Sequence, residues 1–336
     1  MQKILVVKIS ALGDILHTLP VLKSLKESHP DIFIGWLVAR AYKDILEGNP
    51  YIDRIFIFER ERWRGLKNCL FRHAEIWRLL KEIRKEGFDI CLDFQGLFRS
   101  GFFTLFSGAS RRLGFAHARE LSPLAYNEKI KVPPSILHAV DRNAYLVEKL
   151  IQTTVKKETA VFLNEQEREK AIRWLPGKPC IVMVPGTRWE SKKWPVSYFA
   201  KLADDLISGY KATVALVGAK GDAELGEKIL STAKSSQQIV NLIGKTSLKE
   251  LCAVMSIADL VISNDSGPMH IAAAMGSKVL ALFGPTDTQK TAPYGEKHIV
   301  LQHLCGCNPC RNRTCDKKPN CMEQLLPEEV MNHIAF

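Results

Sequence analysis

The chain has 336 residues, of which 46% are apolar and 25% are charged, and its formal net charge is +11. This length exceeds one typical domain and predicts two, while the apolar fraction is too low for a multi-span membrane protein. No apolar run approaches the ~20 residues that a spanning helix needs, and no signal-peptide segment follows Met1, so we expect a cytoplasmic protein.

The first half of the chain alternates predicted strands with predicted helices. Apolar runs predict strands over residues 4–9, 32–38, 54–58 and 88–94. Helical spacing of apolar residues predicts helices over 15–27, with a kink at Pro20, and over 71–86, 97–106 and 137–150.

The second half repeats this alternation. Strands are predicted over 180–184, 213–217, 260–263 and 278–283, and helices over 164–173, 196–207, 222–233, 248–255, 269–275 and from 327 to the end. Strands that alternate with helices indicate parallel sheets covered on both faces. We therefore predict two doubly wound, Rossmann-like α/β domains, residues 1–160 and 161–336, that face each other across a ligand-binding cleft.

The turn after the first strand carries Ser10, Gly13 and Asp14. A glycine followed by an acid at a helix start is typical of a turn with a cap. The functional alternative is a carboxylate held in the cleft as a general base.

The turn after the strand 180–184 combines Gly186, Thr187, Arg188 and Lys192 with two tryptophans. Glycine permits close approach to the backbone, and a hydroxyl with cations binds phosphate oxygens, so this turn suits a diphosphate. A plain basic surface loop is the alternative, which the tryptophans Trp189 and Trp194 disfavour.

Two further strand-to-helix turns carry polar residues. Asp222 and Glu224 follow a strand, where an acid either binds a ribose hydroxyl or caps a helix. Residues 263–276 (SNDSGPMHIAAAMG) read as a strand end, a turn and a helix, with Asp265 or Ser266 as the expected cap. The N–H groups and positive dipole end of that helix suit a phosphate.

Several familiar signatures are absent from the sequence. No Gly-x-Gly-x-x-Gly follows a strand, and Gly244-Lys245-Thr246 lacks the first glycine of a P-loop, which argues against a dinucleotide dehydrogenase and an ATPase. No His-Glu-x-x-His motif supports a catalytic metal. We expect neither a cofactor nor a metal.

A basic segment runs from Arg54 to Lys85, with ten Lys or Arg against four Asp or Glu. Such a segment fits nucleic acid, anionic lipid headgroups or an acidic substrate, or it is a solvated helix face.

Five of the nine cysteines cluster near the end of the chain, at positions 305, 307, 310, 315 and 321. Four of them, Cys305, Cys307, Cys310 and Cys315, match the ligand number of a zinc site. Disulfides and reduced packing thiols are the alternatives, of which disulfides are disfavoured in a reducing cytosol.

Four blocks of the chain, in order, resemble the ADP-heptose:lipopolysaccharide heptosyltransferases of glycosyltransferase family 9. These blocks are residues 8–20 (KISALGDILHTLP), 185–195 (PGTRWESKKWP), 265–274 (DSGPMHIAAA) and 283–287 (FGPTD). Residues 93–97 and 118–127 are similar to the heptosyltransferase I branch in particular. The resemblance implies a GT-B fold and a metal-independent, inverting transfer of heptose from ADP-heptose to the Kdo of Kdo2-lipid A.

The resemblance also implies roles for individual residues. Asp14 matches the catalytic base, and Lys192 a catalytic cation on the departing diphosphate. The donor-binding positions are Thr187, Arg188, Lys192, Asp222, Glu224, Thr246, Asp265, Ser266, Gly267 and His270. The acceptor-binding positions are Ser10, Gly13, Arg60, Arg62, Arg64, Gln95 and Arg119.

The acceptor lipid is anionic, so we expect the basic segment to bring the N-terminal domain to the cytoplasmic leaflet of the inner membrane, with no nucleic acid partner. The cysteine-rich tail resembles heptosyltransferase II and its relatives, which leaves open a heptosyl-Kdo2-lipid A acceptor, or another sugar. An alternative of a different class is a non-catalytic protein that binds nucleotide sugars or nucleic acid.

Overall fold

The computed structural model describes residues 2–59, 73–158 and 161–335. The chain divides into two compact units, Met1–Phe162 and Leu163–Phe336. Among the described residues, no helix is long and apolar enough to cross a membrane.

The described part of the first unit holds a parallel six-stranded sheet in the order β3-β2-β1-β4-β5-β6. The strands are β1 Lys3–Val7, β2 Phe33–Ala39, β3 Arg54–Phe58, β4 Ile90–Asp93, β5 Arg111–Phe115 and β6 Glu128–Ile130. The helices are α1 Leu12–Leu16, α2 Pro20–Ser28, α3 Lys43–Leu46, α4 His73–Glu86, α5 Phe98–Phe106 and α6 Ala139–Ile151.

The described part of the second unit holds another parallel six-stranded sheet, in the order β12-β11-β10-β7-β8-β9. Its strands are β7 Cys180–Val184, β8 Thr213–Leu216, β9 Ile239–Asn241, β10 Leu260–Asn264, β11 Lys278–Phe283 and β12 Ile299–Gln302. Its helices are α7 Glu165–Trp174, α8 Val196–Tyr210, α9 Ala223–Thr232, α10 Leu248–Ile257, α11 Gly267–Ala274, α12 Thr288–Thr291 and α13 Pro327–Met331.

The central strands form the core of each unit because they are apolar on both faces. All five residues of β7, and Leu5, Val6 and Val7 of β1, are buried. Burial of each Val, Leu or Ile side chain contributes about 1.5–3 kcal/mol, which favours strands covered by helices on both sides. The predicted α/β class with two parallel sheets is confirmed.

The strand register decides which turns meet at the edge of each sheet. In the first unit, Val7 at the end of β1 lies opposite Asp93 at the end of β4. In the second, Ser263 of β10 lies opposite Val184 at the end of β7, and Asn264 lies opposite Leu282 of β11. The segments that follow these strands therefore leave each sheet side by side.

Three predictions of secondary structure are corrected. The helix expected over 15–27 is two helices, because Pro20 lacks an N–H and starts α2 instead of kinking one long helix. Strands β5, β6, β9 and β12 are additional to those predicted. The last helix ends at Met331 instead of reaching the chain end.

Candidate active site

A largely buried ion pair joins two of the predicted turns in the second unit. Lys192 Nζ lies 2.6 Å from Asp265 Oδ2, and their side chains are 14% and 6% exposed. The hydroxyl of Thr286 donates to the same carboxylate oxygen at 2.5 Å. The hydroxyl of Thr187 donates to the main-chain carbonyl of Asp265 at 3.1 Å. The structure thus brings together polar groups that follow β7, β10 and β11.

Asn264, the last residue of β10, ties two of these segments together. Its Nδ2 donates to the carbonyl of Pro185 at 2.8 Å, and its Oδ1 accepts from the N–H of Trp194 at 3.3 Å. The indole of Trp194 is buried and donates to the carbonyl of Leu325 at 2.7 Å. Sequence reasoning singled out neither Asn264 nor Thr286 as a functional residue, although a polar residue that ends a buried strand is a usable signal.

The start of α11 differs from the predicted capping. Ser266 occupies the N-cap position in an extended conformation, but its side chain makes no capping hydrogen bond. The Asp265 carboxylate is engaged with Lys192 and Thr286, so the expected side-chain cap is wrong at both positions. Gly267 is the first helical residue, and His270 lies half-buried later in the first turn.

Two cations contact the ring of Trp189 in the turn that carries Lys192. Lys192 Nζ lies 4.5 Å from the ring centroid and the guanidinium of Arg313 lies 5.9 Å from it. The tryptophan of this turn is therefore held by cation–π contacts. Arg188, the neighbouring predicted donor residue, is exposed.

A cavity of about 660 Å³ adjoins this cluster in the second unit. Its lining includes Thr187, Ser191, Asp222 and Glu224. Thr246, also predicted to bind the donor, precedes α10 and is not part of this lining. The volume lies within the range of small-molecule sites.

Asp222 shapes the glycine turn beside that cavity. Its Oδ2 accepts from the N–H of Ala219 at 2.9 Å, and a Cβ on Gly186 would lie 2.4 Å from the same oxygen. Glycine at 186 is thus required for the carboxylate to pack there. Glu224 is exposed, and the hydrogen bond from Lys228 lowers its pKa.

In the first unit, the predicted base lies in the first turn of α1. Asp14 Oδ2 accepts from the N–H of Ala11 at 3.2 Å, and its side chain is 48% exposed. Gly13 precedes it in the same helix, and the N–H of Ser10 donates to Gln95 Oε1 at 2.9 Å. Ser10, Gly13, Asp14 and Gln95 therefore share one edge of this sheet.

Lys8, which directly follows β1, has a buried side-chain amine to which the sequence analysis assigned no role. Its Nζ donates to the carbonyl of Phe94 at 2.8 Å and lies 3.9 Å from Asp14 Oδ2. Burial lowers the pKa of Lys8, and the nearby carboxylates of Asp14 and Asp93 act in the opposite direction. The proposed base thus has a cation beside it.

Asp93 holds the loop that carries Gln95. Its Oδ1 accepts from the N–H groups of Gln95 and Gly96 at 2.8 and 3.0 Å, and Tyr126 donates its hydroxyl to Oδ2 at 2.7 Å. Burial raises the pKa of Asp93. Arg119 donates its N–H to the carbonyl of Gly96 at 3.0 Å while its side chain is exposed.

The remaining predicted acceptor residues, Arg60, Arg62 and Arg64, lie outside the described residues, as does the central part of the basic segment.

The five clustered cysteines line one small cavity in the second unit, and the eight cysteines of the described part of the chain are all free thiols. In that same part, no three His, Cys, Asp or Glu side chains are grouped closely enough to hold a metal ion. Burial raises the pKa of the Cys321 thiol to about 11.

The cysteine-rich loop also supports the turn that carries Lys192. The N–H of Ser191 donates to the carbonyl of Arg313 at 3.1 Å, and its hydroxyl donates to the carbonyl of Asn312 at 2.5 Å. Arg311 donates its N–H to the carbonyl of Pro285 at 3.0 Å. This loop therefore contacts the segments on both sides of the Lys192–Asp265 pair.

Comparison with known proteins identifies similar chains. Residues 76–320 match the model of "Glycosyltransferase family 9 (heptosyltransferase)". Lipopolysaccharide heptosyltransferase 1 of Pseudomonas aeruginosa is 28% identical, covering 99% of this chain and 97% of that protein. Lipooligosaccharide heptosyltransferase 2 of Campylobacter jejuni is 29% identical, covering 95% and 93%.

Two solved structures of heptosyltransferases are similar to this chain over nearly its whole length. E. coli heptosyltransferase WaaC with ADP-2-deoxy-2-fluoro heptose matches with a TM-score of 0.78 and 25% identity, covering 98% of each chain. E. coli ADP-heptose lps heptosyltransferase II matches with a TM-score of 0.80 and 23% identity, covering 98% of this chain and 97% of that one. These likenesses confirm the predicted GT-B fold class.

Proposed function

The chain belongs to glycosyltransferase family 9, the heptosyltransferases, and from that membership we propose that it moves heptose from ADP-L-glycero-D-manno-heptose to the Kdo of Kdo2-lipid A. As a heptosyltransferase of the lipopolysaccharide core it is an enzyme, which excludes the alternative of a non-catalytic binding protein. The observation that carries the donor assignment is the cluster of Thr187, Lys192, Asp265 and Thr286 beside the 660 Å³ cavity.

We assign donor binding to the second unit. The ammonium of Lys192 has three N–H donors, and Asp265 uses one of them, so a phosphate oxygen can accept from another. The first-turn N–H groups of α11 add a positive dipole end next to Asp265. Asp222 and Glu224 line the cavity, where we expect the ribose. Arg188, Thr246 and His270 complete the proposed donor set.

The proposed reaction is a single displacement with inversion. Asp14 accepts the proton of a Kdo hydroxyl while that oxygen attacks the anomeric carbon of heptose. The bond from this carbon to the diphosphate oxygen breaks, and ADP leaves with the electron pair. Lys192 and the N–H groups of α11 act on the charge that develops on the diphosphate, where one such donor is worth about 3–4 kcal/mol. We propose no cofactor or metal.

We assign the acceptor to the first unit. Ser10 and Gly13 precede Asp14 in the same turn, Gln95 accepts from the N–H of Ser10, and the 48% exposure of the Asp14 side chain leaves the carboxylate accessible to a hydroxyl group. Arg119 donates its N–H to Gly96 in the loop that carries Gln95. We further propose that this unit meets the cytoplasmic leaflet of the inner membrane peripherally, where the acceptor lipid resides, through the basic segment with Arg60, Arg62 and Arg64.

A relative named heptosyltransferase 2 at 29% identity supports a second candidate acceptor, heptosyl-Kdo2-lipid A. One assay separates the two. The enzyme is incubated with ADP-heptose and either Kdo2-lipid A or its monoheptosylated form, and the product masses are read. Addition of one heptose to Kdo2-lipid A supports the proposal, whereas addition only to the heptosylated lipid supports the second candidate and refutes the first.

The base assignment has its own test. Asp14→Asn keeps the size of the side chain but removes the proton acceptor, so we expect kcat to fall by about 10²–10⁴-fold with little change in ADP binding. Asp44→Asn is the control, because Asp44 is also exposed in the first turn of a helix of the same unit. Transfer by the Asp14 variant at the rate of the control would rule out this role.

A further inference from the structure

One region of the first unit exposes many large apolar side chains. Ten such side chains are exposed in the described part of the chain, and half of them lie between residues 77 and 124. They are Trp77 (46%), Phe98 (62%), Leu105 (46%), Leu121 (71%) and Leu124 (75%). Single exposed apolar residues are ordinary on a protein surface, but a contiguous group marks an interaction site.

Helix α5 forms the centre of this group. Phe98, Phe102 and Leu105 are four and three residues apart, which places them on one face of the helix. Trp77 of α4 extends this face, because its ring centroid lies 6.4 Å from that of Phe102 and 6.0 Å from that of Phe106.

The segment that carries Leu121 and Leu124 packs directly on α5. A Cβ on Gly101 would lie 3.0 Å from the Cα of Ser122, so the helix and this segment are in backbone contact. The N–H of Phe98 donates to Glu120 Oε2 at 3.2 Å. Trp77, Phe98, Phe102, Leu105, Leu121 and Leu124 therefore form one surface, the apolar patch.

The backbone holds Leu121 in an unfavourable conformation. Glu120 and Leu121 both have positive φ, 55° and 62°, a region that costs free energy for residues with a Cβ. Leu121 thus combines an unfavourable backbone conformation with an apolar side chain that is 71% exposed to solvent. A residue that is strained and exposed in this way is a candidate for contact with a binding partner.

The surroundings of the patch are rich in cations. On α4, Lys81 and Arg84 lie four and seven residues after Trp77, on the same helix face, and both are exposed. The elements that carry the patch bear four more exposed cations, Arg78 and Lys85 on α4, Arg99 on α5 and Arg119 next to Glu120, against the exposed acids Glu82 and Glu120. Aromatic and leucine side chains ringed by Lys and Arg are suited to an anionic lipid surface.

We propose that the apolar patch inserts into the headgroup and upper acyl region of an anionic bilayer, with the surrounding cations on the lipid phosphates. A second copy of the chain fits less well as the partner. In a two-fold interface at this patch, the cations of one copy would lie near the same cations of the other copy and repel them. The choice of a membrane rests on the proposed lipid acceptor, but vesicle binding is measurable without donor or acceptor.

The test compares binding of the full chain to vesicles of phosphatidylglycerol and phosphatidylethanolamine with binding to phosphatidylcholine vesicles, by co-sedimentation. For the double variant Phe98→Ser/Leu124→Ser we expect at least a tenfold loss of binding to anionic vesicles, since each large apolar side chain is worth roughly tenfold or more. The matched control is Ile172→Ser/Leu304→Ser, with side chains 55% and 71% exposed in the second unit, and we expect its binding within twofold of the parent.

Two further readouts identify the mode of contact. Trp77 emission should shift to the blue and be quenched by brominated acyl chains, and Trp77→Phe should remove this response. Unchanged melting temperatures would show that the serine variants fold. Parental binding by the patch variant would overturn the proposal, as would a concentration-dependent dimer that only the patch variant abolishes. If instead no heptose reaches Kdo2-lipid A while vesicle binding follows the patch, the proposed acceptor fails and the inserted surface stands.

Discussion

The Lys192–Asp265 pair gives the sharpest test of how the second unit is held together. Its side chains are 14% and 6% exposed, so it lies closer to a buried ion pair, in which loss of one partner costs about 3–5 kcal/mol, than to a surface pair. In Lys192→Met, Asp265 keeps its hydrogen bond from Thr286, which places the expected loss at the lower end, about 3 kcal/mol. For a unit of this size, that corresponds to a fall in Tm of roughly 6–12 °C.

The assay is thermal unfolding followed by calorimetry, on the transition that belongs to the second unit. The control is Lys201→Met, because Lys201 forms a surface pair with Asp205 at 2.7 Å and is 52% exposed. Such surface pairs are worth about 0–1 kcal/mol, so its Tm should change by only a few degrees.

A double-mutant cycle isolates the pair itself. In Lys192→Met/Asp265→Asn neither charge is left without its partner. We therefore expect the double variant to lose about 2 kcal/mol less stability than the sum of the losses in the two single variants. Equal effects of Lys192→Met and Lys201→Met, or additive single changes, would refute the reasoning that this pair acts as a buried unit.

Three further predictions follow from contacts in the two cores. Gly114→Ala should destabilise the first unit by about 1–3 kcal/mol, because the new Cβ would lie 2.4 Å from the ring of Tyr126. Gly209→Ala, at an exposed position of α8 whose nearest atom lies at 4.0 Å, should instead stabilise the second unit by up to about 1 kcal/mol in the same urea titration. Asn264→Leu should cost about 2–4 kcal/mol, since two buried main-chain groups lose their hydrogen bonds, and an unchanged urea midpoint would contradict this. Burial raises the pKa of Cys252 from 9.0 to about 12, so between these values the folded state keeps a proton that the unfolded state loses, and stability falls as pH rises. From pH 8 to 10 the parent should therefore lose about 1.4 kcal/mol more than Cys252→Ala, and parallel pH curves would contradict the assignment.

The central strands could be predicted from the sequence because both their faces are buried. The predicted ranges 180–184 and 278–283 agree with β7 and β11, whose residues are almost all buried. The range 54–58 agrees with β3, an edge strand that is only partly buried but still carries an apolar run. In contrast, β5 begins with two arginines and β6 is Glu-Lys-Ile, so neither shows an apolar run. Their pairing depends on register with a neighbouring strand, which local composition does not encode.

The turns that carry the candidate site residues could also be predicted from the sequence, since each follows a buried strand. What the sequence could not indicate was which groups bond to one another across long separations. Asp265 appeared to be a local helix cap, yet its carboxylate binds Lys192, 73 residues away, and Thr286, 21 residues away. Local sequence propensity predicts whether a segment forms a strand or a helix. Which distant residues bond to each other depends on the order of the strands in the sheet, and propensity does not predict that order.

The contact of Trp189 with two cations has a practical consequence. Indole fluorescence responds to nearby charge, and Lys192 Nζ and the Arg313 guanidinium lie 4.5 and 5.9 Å from the ring centroid. An anion that draws Lys192 away from the ring would alter the emission of this tryptophan, and the signal would be missing in a Trp189→Phe variant. The turn therefore contains an intrinsic optical reporter, with which the proposed binding of the nucleotide donor can be titrated without a label.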